Sequence, residues 1–287
     1  MLYLILSILC NITVGILLKL AKRRNIDILQ IIAYNYLFAI LLCYFVFNPD
    51  VTAVMNWDAP WSIYSALGIL LPTIFLILAI SIKHIGIVKT DISQRLSLFI
   101  PLLAAYFIFK EDFTALKLAG LIVGFVAIFF TLSKKKQGDI SSNKWIYPII
   151  VFVGFGIIDV LFKQIATYTA VPYTTSLFAV FCCSLIIALG IVLYQLVMHK
   201  SKLESKNFLY GGILGLFNFG NILFYLKAHK AFAENPSTVF AAMNLGVIIL
   251  ASLVGIVFFK EKMNTKNYIG IGLALIAITL ITLSQLQ

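Results

Sequence analysis

The chain has 287 residues, of which 62% are apolar and only 11% charged, against roughly 25% charged in a soluble domain, so the ordinary soluble class is excluded. Its net charge of +11 sits in short clusters between apolar blocks, with no basic stripe and no nucleic-acid motif, which argues against a nucleic-acid partner and for membrane topology. The blocks do not alternate apolar and polar residues, as the strands of an outer-membrane barrel would.

Read in chain order, the blocks predict an all-α membrane protein with helices near 2–20, 28–47, 61–82, 87–109, 115–132, 145–163, 173–198, 208–227, 236–259 and 267–286, ten in all, each near the ~20 residues that cross a bilayer. The first block has no basic region before it and no small-residue cleavage site, and reads as a spanning helix, not a cleaved leader. Asn48-Pro49-Asp50 closes the second helix, and Ala59-Pro60-Trp61 opens the third with an interfacial aromatic. The polar run Lys134-Lys135-Lys136-Gln137-Gly138-Asp139 divides the chain nearly in half before Trp145 anchors the sixth helix. Asn235-Pro236-Ser237 starts the ninth with a proline in the first turn, where a missing N–H costs little. Cys10, Cys43, Cys182 and Cys183 all fall inside apolar blocks and read as reduced packing residues.

The two halves resemble each other. Leu103, Phe109, Lys110, Glu111, Gly120, Ala127 and Ile128 recur 150 positions later as Leu253, Phe259, Lys260, Glu261, Gly270, Ala277 and Ile278. Near the front of each half, Gly15 to Lys19 matches Asp159 to Lys163, and Tyr3 matches Tyr147, at an offset of 144. Residues 1–133 and 145–287 then form two five-helix repeats joined by a basic connector, 134–144. Five crossings are an odd number, so the second repeat enters the membrane inverted relative to the first, an arrangement that underlies alternating access in many carriers.

Ten helices, this duplication, and a helix-ending Glu before the fifth and tenth helices resemble the drug/metabolite transporter superfamily, and within it the EamA-type transporters. The likeness is carried by Pro101 to Glu111 with Gly120 and Gly124, and by Leu250 to Glu261 with Gly270 and Gly272. The family pattern commonly has Gly before that Glu, where this chain has Lys110 and Lys260; Ala251 also stands where the first half has Pro101. The resemblance implies a secondary transporter of small metabolites or drugs without a cofactor. It also implies cytoplasmic termini, whereas the positive-inside count puts them outside, because Lys22, Arg23, Arg24, Lys134, Lys135, Lys136 and Lys144 lie on the termini's far side.

Ionisable groups within the spans are the candidate site residues, because charge in hydrocarbon calls for a partner or a task. Arg95 lies about 22 Å along the helix from Lys110, about 8 Å below the nearer surface of a core about 30 Å thick. Asp91, one turn earlier, shares its face. The two either anchor the helix as an ion pair or hold an anionic group at a cavity mouth. Asp159 and Lys163 repeat the spacing on the sixth helix: Lys163 is close enough to the end to snorkel, and Asp159 is either its structural partner or a proton-coupling carboxylate. Lys19 matches Lys163, with Gly15 in place of the carboxylate. Gln94 and Asn244 occupy matching positions, while Asn11, Asn35, Asn218 and Asn221 add donors and acceptors that read as either helix–helix glue or ligand contacts. His84, His229, Lys227 and Lys230 read as solvated or interfacial groups.

An intramembrane enzyme or an uncoupled channel is the alternative to a carrier, but no zinc-protease pair, nucleophile elbow or Walker sequence occurs to support an enzyme. The expected partners are membrane lipid, a small-molecule substrate and, as an oligomer, a homodimer. The expected location is the cell (cytoplasmic or inner) membrane, multi-pass.

Overall fold

The computed structural model describes residues 1–24, 26–52, 59–85, 87–131, 146–199, 203–257 and 263–284, with the side chains of Lys19, Lys22, Arg23, Lys83, Ile85, Ile87, Val88, Lys89, Asp91 and His199 left aside. The basic connector 134–144 and the second Phe-Lys-Glu at 259–261 lie outside the described residues.

The described residues are helical, without strands: α1 (Leu2–Arg23), α2 (Ile28–Phe47), α3 (Trp61–Ile85), α4 (Ile87–Leu96), α5 (Phe99–Phe107), α6 (Ala115–Thr131), α7 (Ile146–Thr167), α8 (Tyr173–His199), α9 (Ser205–Ala231), α10 (Pro236–Val257) and α11 (Thr265–Leu283). Seven of these are long and apolar enough to cross a bilayer, and three shorter apolar stretches, Leu2–Leu18, Ile92–Phe107 and Ala115–Thr131, supply the rest of the expected ten. Helices suit that environment because every backbone N–H and C=O finds its partner within the segment. Many of the most exposed side chains are apolar, among them Phe45, Ile122, Ile186, Leu193 and Val257, as a lipid-contacting surface requires.

The fourth span is not one helix. The sequence predicts 87–109 continuous, but α4 ends at Leu96 and α5 begins at Phe99. Pro101 explains the break: it has no N–H to offer the Ser97 carbonyl four residues back, and its ring crowds that oxygen. The Ser97 carbonyl instead accepts from the N–H of Ile100 (3.0 Å), and the Ser97 hydroxyl donates back to the Gln94 carbonyl (2.6 Å). The matching stretch of α10, with Ala251 where α5 has Pro101, runs without interruption.

Two compact units account for the chain. The first takes Met1–Ile8, Ile77–Val160 and Ala231–Gln287; the second takes Leu9–Leu76 and Leu161–Lys230. Each draws on both halves of the sequence.

In the first unit α6 and α11 form the most extensive helix pair, with α10 packed against α5, α6 and α11. The pair runs antiparallel with its backbones in contact. A Cβ on Gly120 would fall 2.7 Å from Ile281 Cγ1, and one on Gly270 would fall 2.5 Å from the Thr131 nitrogen. The Asn267 carboxamide donates to the Thr131 carbonyl at the end of α6 (2.5 Å), satisfying an oxygen that the helix itself cannot.

In the second unit α2 packs on α8, tied by the Tyr64–Ser176 hydroxyl pair from α3 to α8 (2.7 Å) and the Cys43 thiol donating to the Thr174 carbonyl (3.5 Å). The four predicted reduced cysteines are all free. Helix α9 lies against α2 through glycines: a Cβ on Gly211 would sit 3.0 Å from the Ile31 carbonyl oxygen, and one on Gly215 2.7 Å from that of Asn35. Such seams of small residues are how helices approach closely in lipid.

Candidate functional site

Polar side chains gather at three places. The first, in the first unit, starts at Lys110, whose backbone is left-handed (φ 54°). That is the conformation for which glycine carries no steric penalty, and it accounts for the Gly commonly found there in the resembling family. The turn delivers Glu111 inward, where it is only 4% exposed. Its Oε1 accepts from Lys117 Nζ (2.7 Å) and the Ser237 hydroxyl (2.6 Å), and its Oε2 accepts from the Ser237 N–H (2.8 Å). Lys117, equally buried, also donates to Asn235 Oδ1 (2.8 Å). A carboxylate thus sits on the positive N-terminal end of α10 with a cation beside it. The sequence carries no local signal for the burial of Lys117, because the α10 end that accepts Lys117 and Glu111 is more than a hundred residues away in sequence.

The second place lies at one end of the second unit. Asp27 caps α2, accepting from the N–H of Leu29 (2.9 Å), and takes a further bond from Gln195 Nε2 (2.9 Å); Asn207 Nδ2 donates to Gln30 Oε1 (2.7 Å). The sequence reading passes over Asp27, although an Asp ahead of an apolar run is a cap signal; its tie to Gln195, and that of Gln30 to Asn207, carry no local signal. Beside Gln30 a groove of about 360 Å³ runs past Tyr34, Gly190, Leu193 and Leu203. Its walls are otherwise almost wholly apolar.

The third place is a small cavity among α1, α2, α3 and α9 of the second unit, lined by Val14, Leu18, Ile32, Asn35, Phe75, Leu214 and Asn218. Its volume of about 10 Å³ is room for one water-sized group. Asn35 and Asn218 are both buried, and Asn35 Oδ1 has no hydrogen-bond partner.

The remaining candidates distribute as follows. Arg95 and Gln94 are half-buried on α4, just before the break at Ser97. The side chain of Asp91, and with it the proposed Asp91–Arg95 pair, lies outside the described residues, as does that of Lys19. Asn244 is half-buried on α10 and donates to its own helix at the Phe240 carbonyl (3.2 Å). Asp159 is half-buried in the first-unit portion of α7. Lys163 does not snorkel to a surface: it is 1% exposed, in the second-unit portion of that helix. His229, read as interfacial, is fully buried, with its ring edge-on to Tyr225 at 4.6 Å. Asn221 is half-buried on α9. His84 is exposed and stacks on Tyr147 at 5.2 Å, and Lys230 is exposed with its ammonium 5.4 Å from the centre of the Tyr173 ring, both in keeping with interfacial groups.

Comparison with known proteins agrees with this architecture. Residues 143–283 match the EamA-like transporter family. An uncharacterized protein of Haemophilus influenzae is 41% identical over 284 residues, covering 96% of this chain and 95% of its own length. A probable 4-amino-4-deoxy-L-arabinose-phosphoundecaprenol flippase subunit, ArnE, of Hamiltonella defensa is 29% identical over 82 residues, 29% of this chain and 71% of its own. One crystal structure of a protein superposes with a TM-score of 0.71 over 98% of this chain and 96% of the other, at 15% identity, a likeness of fold.

Proposed function

The chain belongs to the EamA-like transporter family, and on that premise we propose that it is a secondary transporter of the cell's inner membrane. It exports or exchanges a small polar metabolite or drug by alternating access between two inverted five-helix repeats. The observation that carries this reading is the α6/α11 pair. Gly120 meets Ile281 while Gly270 meets Thr131; the two glycines, and the two residues they meet, are related by the same 150-residue offset. A contact that repeats with its partners exchanged is what a two-fold relation between inverted repeats produces. The polar groups along the spans supply the chemistry of a substrate path. Arg95 beside the α4–α5 break is assigned to an anionic group of the substrate or to gating, and Asp159 to proton exchange, since a half-buried carboxylate changes its proton affinity as its neighbours move.

The test is a comparison of metabolites inside and outside cells with and without the protein, followed by uptake of the changed compound into proteoliposomes. Saturable flux that collapses with a protonophore supports a coupled carrier. Saturable flux that ignores the gradient removes the proton coupling, and linear, unsaturable flux removes the carrier in favour of a channel. Asp159→Asn should abolish gradient-driven accumulation while sparing exchange; accumulation with unchanged pH dependence would make Asp159 structural.

A further inference from the structure

We propose that Asn35 and Asn218 form a substrate-anchoring subsite that takes an uncharged hydrogen-bonding group of hydroxyl size. The inference rests on the transporter reading and specifies the ligand chemistry at one point of the path.

The two side chains come from α2 and α9 and line one cavity whose other walls, Val14, Leu18, Ile32, Phe75 and Leu214, are apolar. Asn35 is 3% exposed and its Oδ1 has no hydrogen-bond partner. Leaving a buried carboxamide oxygen unpaired costs stability, and an apolar residue of the same shape would avoid that cost. The backbone around it is held firmly, because Gly215 brings α9 against the Asn35 carbonyl. An orphaned polar group on a fixed backbone, facing a cavity, is preorganised for a partner that comes from outside.

The chemistry of that partner follows from the lining. A carboxamide offers both a donor and an acceptor, and two of them complement a group that also does both. No cationic or anionic side chain is among the lining residues, so an ionised group would be desolvated there without a counter-charge. At about 10 Å³ the cavity admits a single hydroxyl-sized end of a larger molecule, whose remainder lies elsewhere along the path.

The experiment uses the full-length protein in detergent micelles carrying Asn35→Cys or Asn218→Cys. Alkylation is read by mass spectrometry at the substituted position, so the native cysteines do not interfere. Two probes of similar size are compared, iodoacetamide, an uncharged carboxamide, and iodoacetate, an anion, with each rate divided by that of glutathione. Both positions should react, with the normalised rate favouring iodoacetamide at least tenfold. Ile31→Cys, a buried neighbour outside the cavity lining, should react at least tenfold more slowly than either. Inert cysteines at 35 and 218, or equal normalised rates for the two probes, overturn the subsite. Asn35→Leu supplies a check that does not depend on labelling: it should raise the melting temperature of the ligand-free protein and abolish the transport phenotype. A lower melting temperature assigns Asn35 a structural bond and overturns the subsite. If the cysteines are inert while wild-type transport is intact, only the subsite fails. A wild type without transport removes the reading on which it rests.

Discussion

Glu111 and Lys117 are buried charges, and the energetics of such pairs is asymmetric. Removing one partner strands the other, at about 3–5 kcal/mol, while replacing both with apolar groups is often close to neutral. Glu111→Gln should therefore lower the yield of folded protein sharply, because Lys117 loses its counter-charge 2.7 Å away. Glu111→Gln combined with Lys117→Met should recover most of that loss, measured as the melting temperature in micelles. A double variant no better than the single would mean that the Ser237 bonds, not the charge pair, hold this turn. Arg95 calls for the opposite signature. Arg95→Gln keeps hydrogen-bonding capacity without charge, so it should reduce flux at normal expression, and normal flux would make Arg95 an interfacial anchor. Burial was the property least legible at this scale. Lys117, Lys163 and His229 all lie near helix ends, where sequence alone favours exposure. What buries Lys117 is tertiary: the α10 end that receives it lies more than a hundred residues away in sequence.

At the scale of elements, the spans themselves were readable, because lipid imposes one length and one composition on every crossing. The break in the fourth span was readable in principle from Pro101, and its missing counterpart from Ala251, but apolar length alone gave one continuous helix. Pro101→Ala should join α4 and α5, giving the Ser97 carbonyl its helical donor. The expected outcome is a higher melting temperature with slower transport, if the break lets Arg95 and Gln94 move independently of α5; unchanged flux would make the break passive. The α6/α11 seam predicts differently. Gly270→Leu places a side chain where the Thr131 nitrogen already stands, so the pair must separate, at about 1–3 kcal/mol or more for overpacking. Loss of folded protein is expected, and Gly272→Leu, at a position with open space around it, is the control that should fold normally.

At the scale of the molecule, ten crossings would put both termini on one side, and the lysine and arginine distribution predicts that this side lies outside the cytoplasm. A reporter active only in the cytoplasm, fused after Gln287, should then be silent; a strong signal would reverse the orientation without altering the fold. Which helices pair was less legible than how many there are. The 150-residue offset marks α6 and α11 as equivalents, but whether equivalents touch depends on Gly120 and Gly270 having no side chain at the contact, and the approach of α9 to the Asn35 backbone depends on Gly215 in the same way.

The Glu111 turn has a further consequence for how the chain is made. During synthesis Glu111 and Lys117 enter the membrane as a pair, but the Ser237 amide and hydroxyl that complete the carboxylate's bonds arrive 126 residues later. The first half therefore leaves the ribosome with an unfinished anion held only by its lysine, and its fifth span has no settled seat until the ninth is inserted. Halves made as separate chains should be degraded singly and persist when made together.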